Sequence, residues 1–367
     1  MFNLNIFNPW WQEKRVDKAL KGRPRKIFSQ IYDYLDTRQI LILSGLRRVG
    51  KTTLMFQLID KLLAKGIEPY RILYFSYDEE SISLEEILQI YEVNILRNKL
   101  SKVKTYIFLD EIQKLENWPS KIKILYDMYP KMKVFLSGSA AIDPMKGTRE
   151  SLAGRFFDFR IEVLDFEEYL KFKGIEIDKE REDIFANEIK RHLNNYLLTG
   201  GFIEAFGLDQ TGLSKYFKES LLERVIFKDL PQTYSLSNPQ LLLTILKIIS
   251  NNPGLLLDYR NMATDLKIDQ RTLSNYISYL EYSLLVQKVY NYSPNFITSE
   301  KKLKKIYLSN AAFTTALAPD IKRSLLLEQY FINALKAGFF FRNPQKGEID
   351  MVLDSGGIPV PVEVKTT

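Results

Sequence analysis

The chain has 367 residues, of which 46% are hydrophobic and 26% charged, and its formal net charge is +7. This length favours roughly two to four folded units, and the composition is typical of a soluble globular protein rather than a disordered or membrane protein. No apolar run approaches the roughly 18–20 residues that a membrane helix requires. The first residues, MFNLNIFNPWW, lack the features of an export signal, so we expect a cytoplasmic protein without a membrane partner.

Two residue types that often carry chemistry are nearly missing. The chain has no cysteine and one histidine, His192. The sequence therefore argues against disulfides, thiolate catalysis, zinc ribbons and histidine-ligated metals. Any bound metal should be a hard cation held by oxygen atoms, and Mg²⁺ is the expected ion. The net positive charge favours a polyanionic partner, although charge alone is a weak indication.

Short apolar runs alternate with helical periodicity from about residue 38 to residue 170. Such runs, with helices between them, predict a parallel sheet covered on both faces and hence an α/β fold. The predicted strands lie in QILILSG, RILYFSYD, TYIFLDE, KVFLSGSA and FRIEVLDF.

The segment GLRRVGKT, residues 45–52, fits the pattern G-x-x-x-x-G-K-[ST] after a predicted strand and before a helix. Gly45 and Gly50 let the backbone curl so that its N–H groups face phosphate oxygens, and the helix N-terminus adds partial positive charge. We expect Lys51 to reach the β- and γ-phosphates and Thr52 to ligate Mg²⁺.

Three neighbouring residues belong to the same prediction. Thr53, the next residue of the helix, is counted among the nucleotide-binding residues, as is Arg48 within the loop. Arg47 and Arg48 are equally compatible with contacts to phosphate, contacts to a neighbouring subunit or solvent-facing charge.

The run YIFLDE places two carboxylates at the end of another predicted strand. Asp110 is expected beside the phosphate loop, where it can hold Mg²⁺ through water, and Glu111 follows as the base that polarises the attacking water. The alternative is a pair of solvated acids at a strand end.

Further candidates follow in VFLSGSA and RESLAGR. Ser137 or Ser139 could touch the γ-phosphate or the water, or could simply form a turn. Arg149 and Arg155 are candidates for an arginine that stabilises transition-state charge, from the same or a neighbouring subunit, and Arg155 is favoured. A surface ion pair is the alternative.

The segments GLRRVGKTT, FLDEIQKLENW, FLSGSA and SLAGRF…FEEYL together resemble the prokaryotic and archaeal AAA-type P-loop ATPases related to STAND-class switches. Because GGFIEAF and KIYLSNAAF also fit, the likeness covers nearly all of the chain. The resemblance implies Mg²⁺-dependent ATP hydrolysis with Lys51, Thr52, Asp110 and Glu111 in their usual roles. It also implies a RecA/AAA-like ATPase domain, a helical region, a winged helix-turn-helix and a partial PD-(D/E)xK nuclease-like tail. The predicted bounds are 1–170, 171–235, 236–318 and 319–367.

A helix–turn–helix pattern occupies DYRNMATDLKIDQRTLSNYISYLEYSLLVQKVYNYS. In its second helix one apolar stripe recurs at helical spacing, and Asp269 is a plausible N-cap. The stripe consists of Leu273, Tyr276, Ile277 and Leu280. The opposite face is polar and suits a DNA major groove, with Gln270, Arg271, Ser274, Asn275 and Ser278.

A lysine-rich hairpin, SEKKLKKIY, follows and could contact phosphates as a wing. Its lysines are Lys301, Lys302, Lys304 and Lys305. Winged helices also serve as protein-docking or structural units, and such hairpins are often solvated turns.

The tail carries Glu328 on a predicted helix, Asp350 on a strand and Glu363 with Lys365 on the next strand. That order resembles a PD-(D/E)xK nuclease, in which Asp350 and Glu363 would hold the metal. In that fold a helix and a further strand follow the Glu-x-Lys strand and cover the sheet, and this sequence has neither, so the tail is expected to be a shortened form or a remnant completed by a partner. Ordinary solvated strand faces are the alternative.

The main hypothesis is a Mg²⁺-dependent ATP-hydrolysing switch or motor that acts on DNA through its winged helix. One alternative is a metal-dependent nuclease gated by the ATPase. Another is an ATP-controlled signalling or assembly scaffold that does not bind DNA. The expected partners are nucleotide and DNA, with homo-oligomerisation left open.

Overall fold

The computed structural model describes residues 3–78, 82–139, 152–178, 183–234 and 236–365. The chain forms two compact units, Met1–Glu162 and Val163–Thr367, which we call the first unit and the second unit. Within the described ranges, every helix is too short or too polar to cross a membrane.

The first unit is built on a five-stranded sheet in the order β2-β3-β4-β1-β5, in which every neighbouring pair is parallel. Its strands are β1 (Ile40–Gly45), β2 (Ile72–Ser76), β3 (Thr105–Asp110), β4 (Met132–Ser139) and β5 (Phe156–Arg160). All residues of β1 to β4 are buried, which explains why these strands are nearly continuous apolar runs. The predicted α/β class is confirmed here. The strands end at one edge, which we call the carboxyl edge.

The fifth strand begins earlier than the apolar run FRIEVLDF predicts. β5 pairs with β1 from Ile40↔Phe156 to Ser44↔Arg160, so most of the predicted run lies beyond the strand. Ile161 and Leu164 in that run are each only 1% exposed. The N–H of Ile161 still donates to the carbonyl oxygen of Ser44 on β1 at 2.7 Å, so the predicted strand is present but ends near residue 161 instead of continuing through FRIEVLDF.

The helix Leu84–Ile90 of the first unit begins at a side-chain cap. Ser83 precedes this helix and accepts a hydrogen bond from the backbone N–H of Glu86. The helices are α1 (Trp10–Glu13), α2 (Lys18–Lys21), α3 (Ile27–Tyr32), α4 (Lys51–Ala64), α5 (Leu84–Ile90) and α6 (Trp118–Met128). Short 3₁₀ turns cover Leu4–Phe7, Pro69–Arg71 and Ile112–Lys114, and a π-helical turn covers Tyr91–Leu96.

The N-terminal segment covers the outer edge of β2. The side-chain amide of Asn8 donates to the carbonyl oxygen of Tyr74 (3.0 Å) and accepts from its N–H (2.7 Å). The indole N–H groups of Trp10 and Trp11 both donate to the carbonyl oxygen of Ile72, at 3.2 and 2.8 Å. These bonds pair backbone N–H and C=O groups of β2. An edge strand otherwise leaves such groups available for hydrogen bonding by another chain.

The second unit contains a six-stranded sheet in the order β11-β10-β9-β7-β8-β6. Its neighbouring pairs are antiparallel, except that β7 and β9 run parallel. The strands are β6 (Leu255–Leu257), β7 (Val286–Asn291), β8 (Lys304–Leu308), β9 (Phe339–Arg342), β10 (Glu348–Ser355) and β11 (Ile358–Val362). Strands on both sides of the predicted boundary at residue 318 thus belong to one sheet.

Helices precede and surround these strands in the sequence. They are α7 (Phe166–Lys173), α8 (Ala186–Thr199), α9 (Gln210–Lys215), α10 (Leu230–Thr233), α11 (Pro239–Asn251), α12 (Tyr259–Asp265), α13 (Gln270–Tyr282), α14 (Phe296–Lys301), α15 (Ala311–Leu317) and α16 (Arg323–Ala334). A 3₁₀ turn covers Ile203–Ala205, and π-helical segments cover Tyr216–Glu223 and Val225–Asp229. Between residues 183 and 250 the described elements are helical, as predicted.

The predicted pair of helices is present as α12 and α13. The stripe of α13 is buried as expected, and Asp269 caps the helix by accepting from the N–H of Thr272 at 2.8 Å. The lysine-rich hairpin is different from the prediction, because α14 lies in the connection between β7 and β8. Lys301 ends that helix and Lys304 opens β8.

Candidate nucleotide-binding site

The predicted phosphate loop joins β1 to α4 at the carboxyl edge of the first unit's sheet. Gly50 caps α4 with a φ of 92°, a left-handed conformation that glycine adopts at little cost. Gly45 has a φ of 150°, and a Cβ at this position would lie 2.2 Å from the carbonyl oxygen of Ile161. Both glycines are therefore required by the backbone itself.

Lys51 is the first residue of α4 and is only 5% exposed. Its Nζ donates to the carbonyl oxygens of Gly45 (3.2 Å) and Leu46 (2.8 Å). The lysine side chain thus folds back along the loop, where an ammonium group can meet an incoming phosphate.

Asp110 ends β3 beside this loop and is 2% exposed. Its Oδ2 accepts from the Thr52 hydroxyl (2.6 Å) and from the Tyr74 hydroxyl (2.9 Å). Its Oδ1 accepts from the N–H of Glu111 (3.0 Å) and from the Ser137 hydroxyl. We call Asp110, Thr52, Tyr74 and Ser137 the Asp110 cluster.

The charge of this cluster decides what it can bind. All four groups that donate to Asp110 are uncharged, so they orient the carboxylate without neutralising it. A buried carboxylate that is bonded only by uncharged donors is stabilised by a cation close to it. Burial, together with the adjacent Asp110, raises the pKa of Tyr74 well above its ordinary value, so Tyr74 remains a hydrogen-bond donor at neutral pH.

Glu111 directly follows Asp110 and has a left-handed backbone conformation with a φ of 53°. Its carboxylate accepts a hydrogen bond from the side-chain amide of Gln113. A non-glycine residue in this conformation is uncommon and is often found where a side chain must be aimed at a site.

The two serines of β4 differ in their contacts. Ser137 is fully buried and bonds to Asp110. Ser139, at the strand end, is 4% exposed, and its hydroxyl has no hydrogen-bond partner among the described residues. A buried hydroxyl of this kind at the carboxyl edge is suited to a polar ligand.

Arg48 and Thr53, the other two residues predicted to bind nucleotide, lie in the loop and in the first turn of α4. Arg48 is exposed with a φ of 66°, and Thr53 is half-buried in the first turn of α4. Gly22 of the N-terminal segment lies against Thr53, since a Cβ at Gly22 would come within 3.3 Å of the Thr53 methyl group. Arg25 donates to the carbonyl oxygen of Val49 at 3.2 Å, so residues 22–25 border the loop.

Arg155 does not reach the site of its own chain, and a role in the site of a neighbouring subunit stays a prediction. Arg155 precedes β5, and its carbonyl oxygen accepts from the N–H of Ile40, at the start of β1. The loop follows the other end of β1, about 16 Å away at ~3.3 Å per residue. The guanidinium group instead pairs with Asp127 at 3.0 Å. Arg149 lies outside the described residues.

The donor set of the loop fits Mg²⁺ with a nucleoside triphosphate. Among the described residues, the site combines Asp110, a buried carboxylate bonded by the Thr52 hydroxyl and by other uncharged donors, with Ser139, a buried hydroxyl that has no hydrogen-bond partner. Oxygen ligands of this type suit a hard cation. Thr52 would ligate the ion, Asp110 would hold it through water, and Lys51 with the loop N–H groups would hold the phosphates.

In the second unit, the residues predicted to contact DNA have different surroundings. Arg271 and Asn275 are exposed on α13, and Ser274 is half-buried. Lys304 forms an ion pair with Glu300 at 3.3 Å. Lys305 is 5% exposed, so its ammonium group lies inside the protein and not on a surface that phosphates reach.

Lys305 is bound by two acids of the tail. Its Nζ lies 3.1 Å from Glu328 and 2.6 Å from Glu348, and the Tyr307 hydroxyl donates to Glu328 at 2.6 Å. Burial lowers the pKa of Lys305, but the bonds and charges of Glu348 and Glu328 outweigh that effect and raise it above its ordinary value. We call Lys305, Tyr307, Glu328 and Glu348 the Lys305 cluster.

The predicted nuclease-like residues are not assembled into a metal site. Asp350 accepts from the N–H of Val364 at 2.8 Å, and Glu363 pairs with Lys365 at 3.6 Å on the exposed tail. Within the part of the chain that the structure describes, no three His, Cys, Asp or Glu side chains are grouped to hold a metal ion. Glu328 is instead engaged by Lys305 and Tyr307, which corrects the predicted metal set.

Sequence reasoning missed Tyr74 and Asn8. Tyr74 contacts a residue 36 positions away, and Asn8 contacts one 66 positions away. The local sequence contained one indication for Tyr74. Its hydroxyl lies within the apolar run RILYFS, and a hydroxyl that is buried with such a run requires a hydrogen-bond partner.

Comparisons with known proteins support the assignment of the first unit. A family model described as an AAA domain matches residues 37–170, and one described as a domain of unknown function (DUF8612) matches residues 190–324. The uncharacterized protein MJ1637 of Methanocaldococcus jannaschii is 30% identical over 358 residues, which cover 87% of this chain and 74% of that protein. MJ1544 of the same organism is 24% identical over 359 residues, which cover 94% and 78%.

Two solved structures are also similar. The Walker-type ATPase PABY2304 of Pyrococcus abyssi has a TM-score of 0.49 and 14% identity, with 80% of this chain and 95% of that chain covered. The Aeropyrum pernix Orc1 protein in complex with DNA has a TM-score of 0.37 and 14% identity, with 85% and 96% covered.

Proposed function

We propose that this chain, which belongs to one family with MJ1637 and matches an AAA domain over residues 37–170, hydrolyses ATP with Mg²⁺ and works as a switch or motor on DNA. The five-stranded parallel sheet of the first unit has the layout of a RecA/AAA-like P-loop fold. Hydrolysis, the metal and DNA are the parts that we propose.

The observation that carries the ATPase proposal is the contact between Thr52 and Asp110 beside Lys51. Mg²⁺, when bound, would neutralise charge on the phosphates. Lys51 would bind and orient the β- and γ-phosphates, while Thr52 and Asp110 hold the position of the ion. Glu111 would orient the attacking water and accept its proton, and Ser139 would donate to a phosphate oxygen or to that water.

Two variants test these roles separately. Lys51→Ala should abolish nucleotide binding, measured by equilibrium titration, because the phosphates lose their cation. Glu111→Gln should bind ATP normally but lose hydrolysis by about 10²-fold or more, because it cannot accept the proton. Lys61→Ala on the exposed end of α4 and Glu116→Gln are matched controls that should behave like the unmodified protein. Normal turnover by Glu111→Gln would show that another group is the base.

The DNA part of the proposal is supported by α13. This helix buries one apolar stripe and presents Arg271 and Asn275 to solvent, the arrangement that a helix needs in order to enter a major groove. Burial of Lys305 and pairing of Lys304 leave α13 as the stronger candidate surface.

DNA binding should be salt-sensitive, and Arg271→Ala should weaken it by about tenfold at low salt. Arg15→Ala removes the same charge from an exposed position of the first unit and serves as the control. Absence of DNA binding at low salt would favour the scaffold hypothesis, and stimulation of ATP hydrolysis by DNA would connect the two units functionally.

A further inference from the structure

The Asp110 carboxylate receives two hydrogen bonds that the roles assigned above do not explain, one from Ser137 on β4 and one from Tyr74 on β2. The bond from Thr52 and the bond from the N–H of Glu111 come from residues of the two motifs. The bond from Tyr74 comes from β2, the outermost strand, and shares Oδ2 with Thr52.

The register of the sheet explains how Tyr74 reaches the acid. β2 and β3 pair in parallel with Tyr74 opposite Phe108 and Ser76 opposite Asp110. Side chains two positions apart on a strand share a face, so Tyr74 and Asp110 are diagonal neighbours. That separation is too large for a short side chain and suits the length of tyrosine.

Tyr74 is itself fixed in place on two sides. Its ring lies 4.9 Å from the ring of Phe56 on α4 and 6.5 Å from that of Trp10. Its backbone N–H and carbonyl oxygen are both bonded by the side chain of Asn8, which is 1% exposed. The N-terminal segment therefore holds the strand position from which the hydroxyl points at Asp110.

An ionised carboxylate offers about four lone-pair positions, and Asp110 has a donor for each of them. Loss of the Tyr74 hydroxyl would leave Thr52 as the donor to Oδ2 and allow the carboxylate to rotate about its terminal bond. Thr52 would then be held less firmly in the orientation in which its oxygen can ligate a cation.

We propose that Tyr74 is a positioning residue for Asp110 and Thr52, and that it determines how strongly Mg²⁺ increases the affinity for nucleotide. This inference rests on the proposed function, since it concerns the same site. It extends the site to the outer strand and, through Asn8, to the N-terminal segment.

The test is equilibrium binding of a fluorescent non-hydrolysable ATP analogue, with Mg²⁺ and with EDTA. Tyr74→Phe keeps the ring contacts and removes the hydroxyl. Its affinity in EDTA should match that of the unmodified protein, while the gain in affinity given by Mg²⁺ should fall by about tenfold. ATP hydrolysis should require correspondingly more Mg²⁺.

Tyr91→Phe is the matched control. Tyr91 is fully buried in the same unit, stacks on Trp11 and donates its hydroxyl to the carbonyl oxygen of Tyr70 at 2.7 Å. The variant loses an equivalent buried bond away from Asp110, so it should keep the full Mg²⁺ gain whatever it loses in thermal stability. Asn8→Ala should lose part of that gain, because Tyr74 then lacks both backbone bonds.

An unchanged Mg²⁺ gain in Tyr74→Phe, or an equal loss in Tyr91→Phe, would overturn the inference. These outcomes are distinct from a failure of the proposed function, which the unmodified protein reveals by itself. If the unmodified protein shows no Mg²⁺-dependent nucleotide binding, the proposed function is wrong. If it binds normally and Tyr74→Phe matches it, only the positioning role is withdrawn.

Discussion

The Asp110 cluster and the Lys305 cluster contain similar groups and reach opposite electrostatic states. In each cluster a carboxylate accepts from a tyrosine hydroxyl, the buried Asp110 from Tyr74 and the half-buried Glu328 from Tyr307. The bonds to Asp110 come from uncharged donors, whereas Glu328 also meets the ammonium group of Lys305 at 3.1 Å. A cation would therefore stabilise Asp110, whereas Glu328 is already paired with one.

This difference shows that motif residues alone do not define a metal site. Acids and a lysine in the order of a nuclease are present in the tail, but the acid on α16 is bound by Lys305 of β8. Lys305 also binds Glu348 at the start of β10, so the cluster joins three elements of the second unit. Both acids of the cluster therefore already have a cation beside them.

The largest expected effect follows from removing the uncompensated charge. Asp110→Asn should reduce Mg²⁺-dependent ATP hydrolysis by about 10²-fold or more, because the ion loses its anionic anchor. Glu328→Gln makes the same chemical change in the Lys305 cluster and should leave hydrolysis unchanged, as measured by phosphate release. Equal losses in both variants would contradict the distinction between the clusters.

The next effect concerns stability. Lys305→Met removes the buried cation shared by the half-buried Glu328 and the exposed Glu348, which should reduce the free energy of unfolding by about 3 kcal/mol, the lower end of the range for breaking a buried ion pair. Lys304→Met removes a lysine from the adjacent position, where the pair with Glu300 is local, and should cost less than about 1 kcal/mol. Denaturant titration measures both, and similar losses would show that Lys305 has no special role.

A smaller effect is expected from Tyr307→Phe, the counterpart of Tyr74→Phe. Loss of the hydroxyl that bonds Glu328 should reduce the free energy of unfolding by about 1–3 kcal/mol. Nucleotide affinity with and without Mg²⁺ should stay the same, unlike that of Tyr74→Phe. A changed Mg²⁺ dependence here would mean that both tyrosines act by a general effect on folding.

The smallest effect concerns pH. Because the folded-state pKa of Lys305 is raised above 10.5, its stabilising contribution is fully present below that value and is lost as pH rises through the folded pKa. The difference in unfolding free energy between the unmodified protein and Lys305→Met should therefore be constant from about pH 6 to pH 9. A decline within that window would show that Lys305 is not held as an ammonium ion.

The sequence predicted the parts of the site that are continuous in the chain. The strand, glycine loop and helix from Ile40 to Ala64 follow one another directly, so the motif placed Lys51 and Thr52 beside the loop. Asp110 was predicted equally well, since the carboxyl ends of parallel strands share an edge. The stripe of α13 and its Asp269 cap were also local features, and the structure has both.

Other assignments depended on which strand lies next to which, and these the sequence alone could not supply. Arg155 follows SLAG in a motif-like segment, yet the register of β5 against β1 places it at the edge opposite the loop. FRIEVLDF was predicted as a strand, but only its first residues pair with β1, and Leu164 further along is buried outside the strand.

The sequence by itself determined that this chain has a phosphate loop and an acid at the end of a neighbouring strand, because backbone curvature and strand polarity are local properties. Only the tertiary structure decided the electrostatic state of each acid. Tyr74 reaches Asp110 through the pairing of β2 with β3, and Lys305 reaches Glu328 and Glu348 from a separate strand. Contacts of this kind depend on strand order and register, and hydrophobic periodicity along a single chain specifies neither.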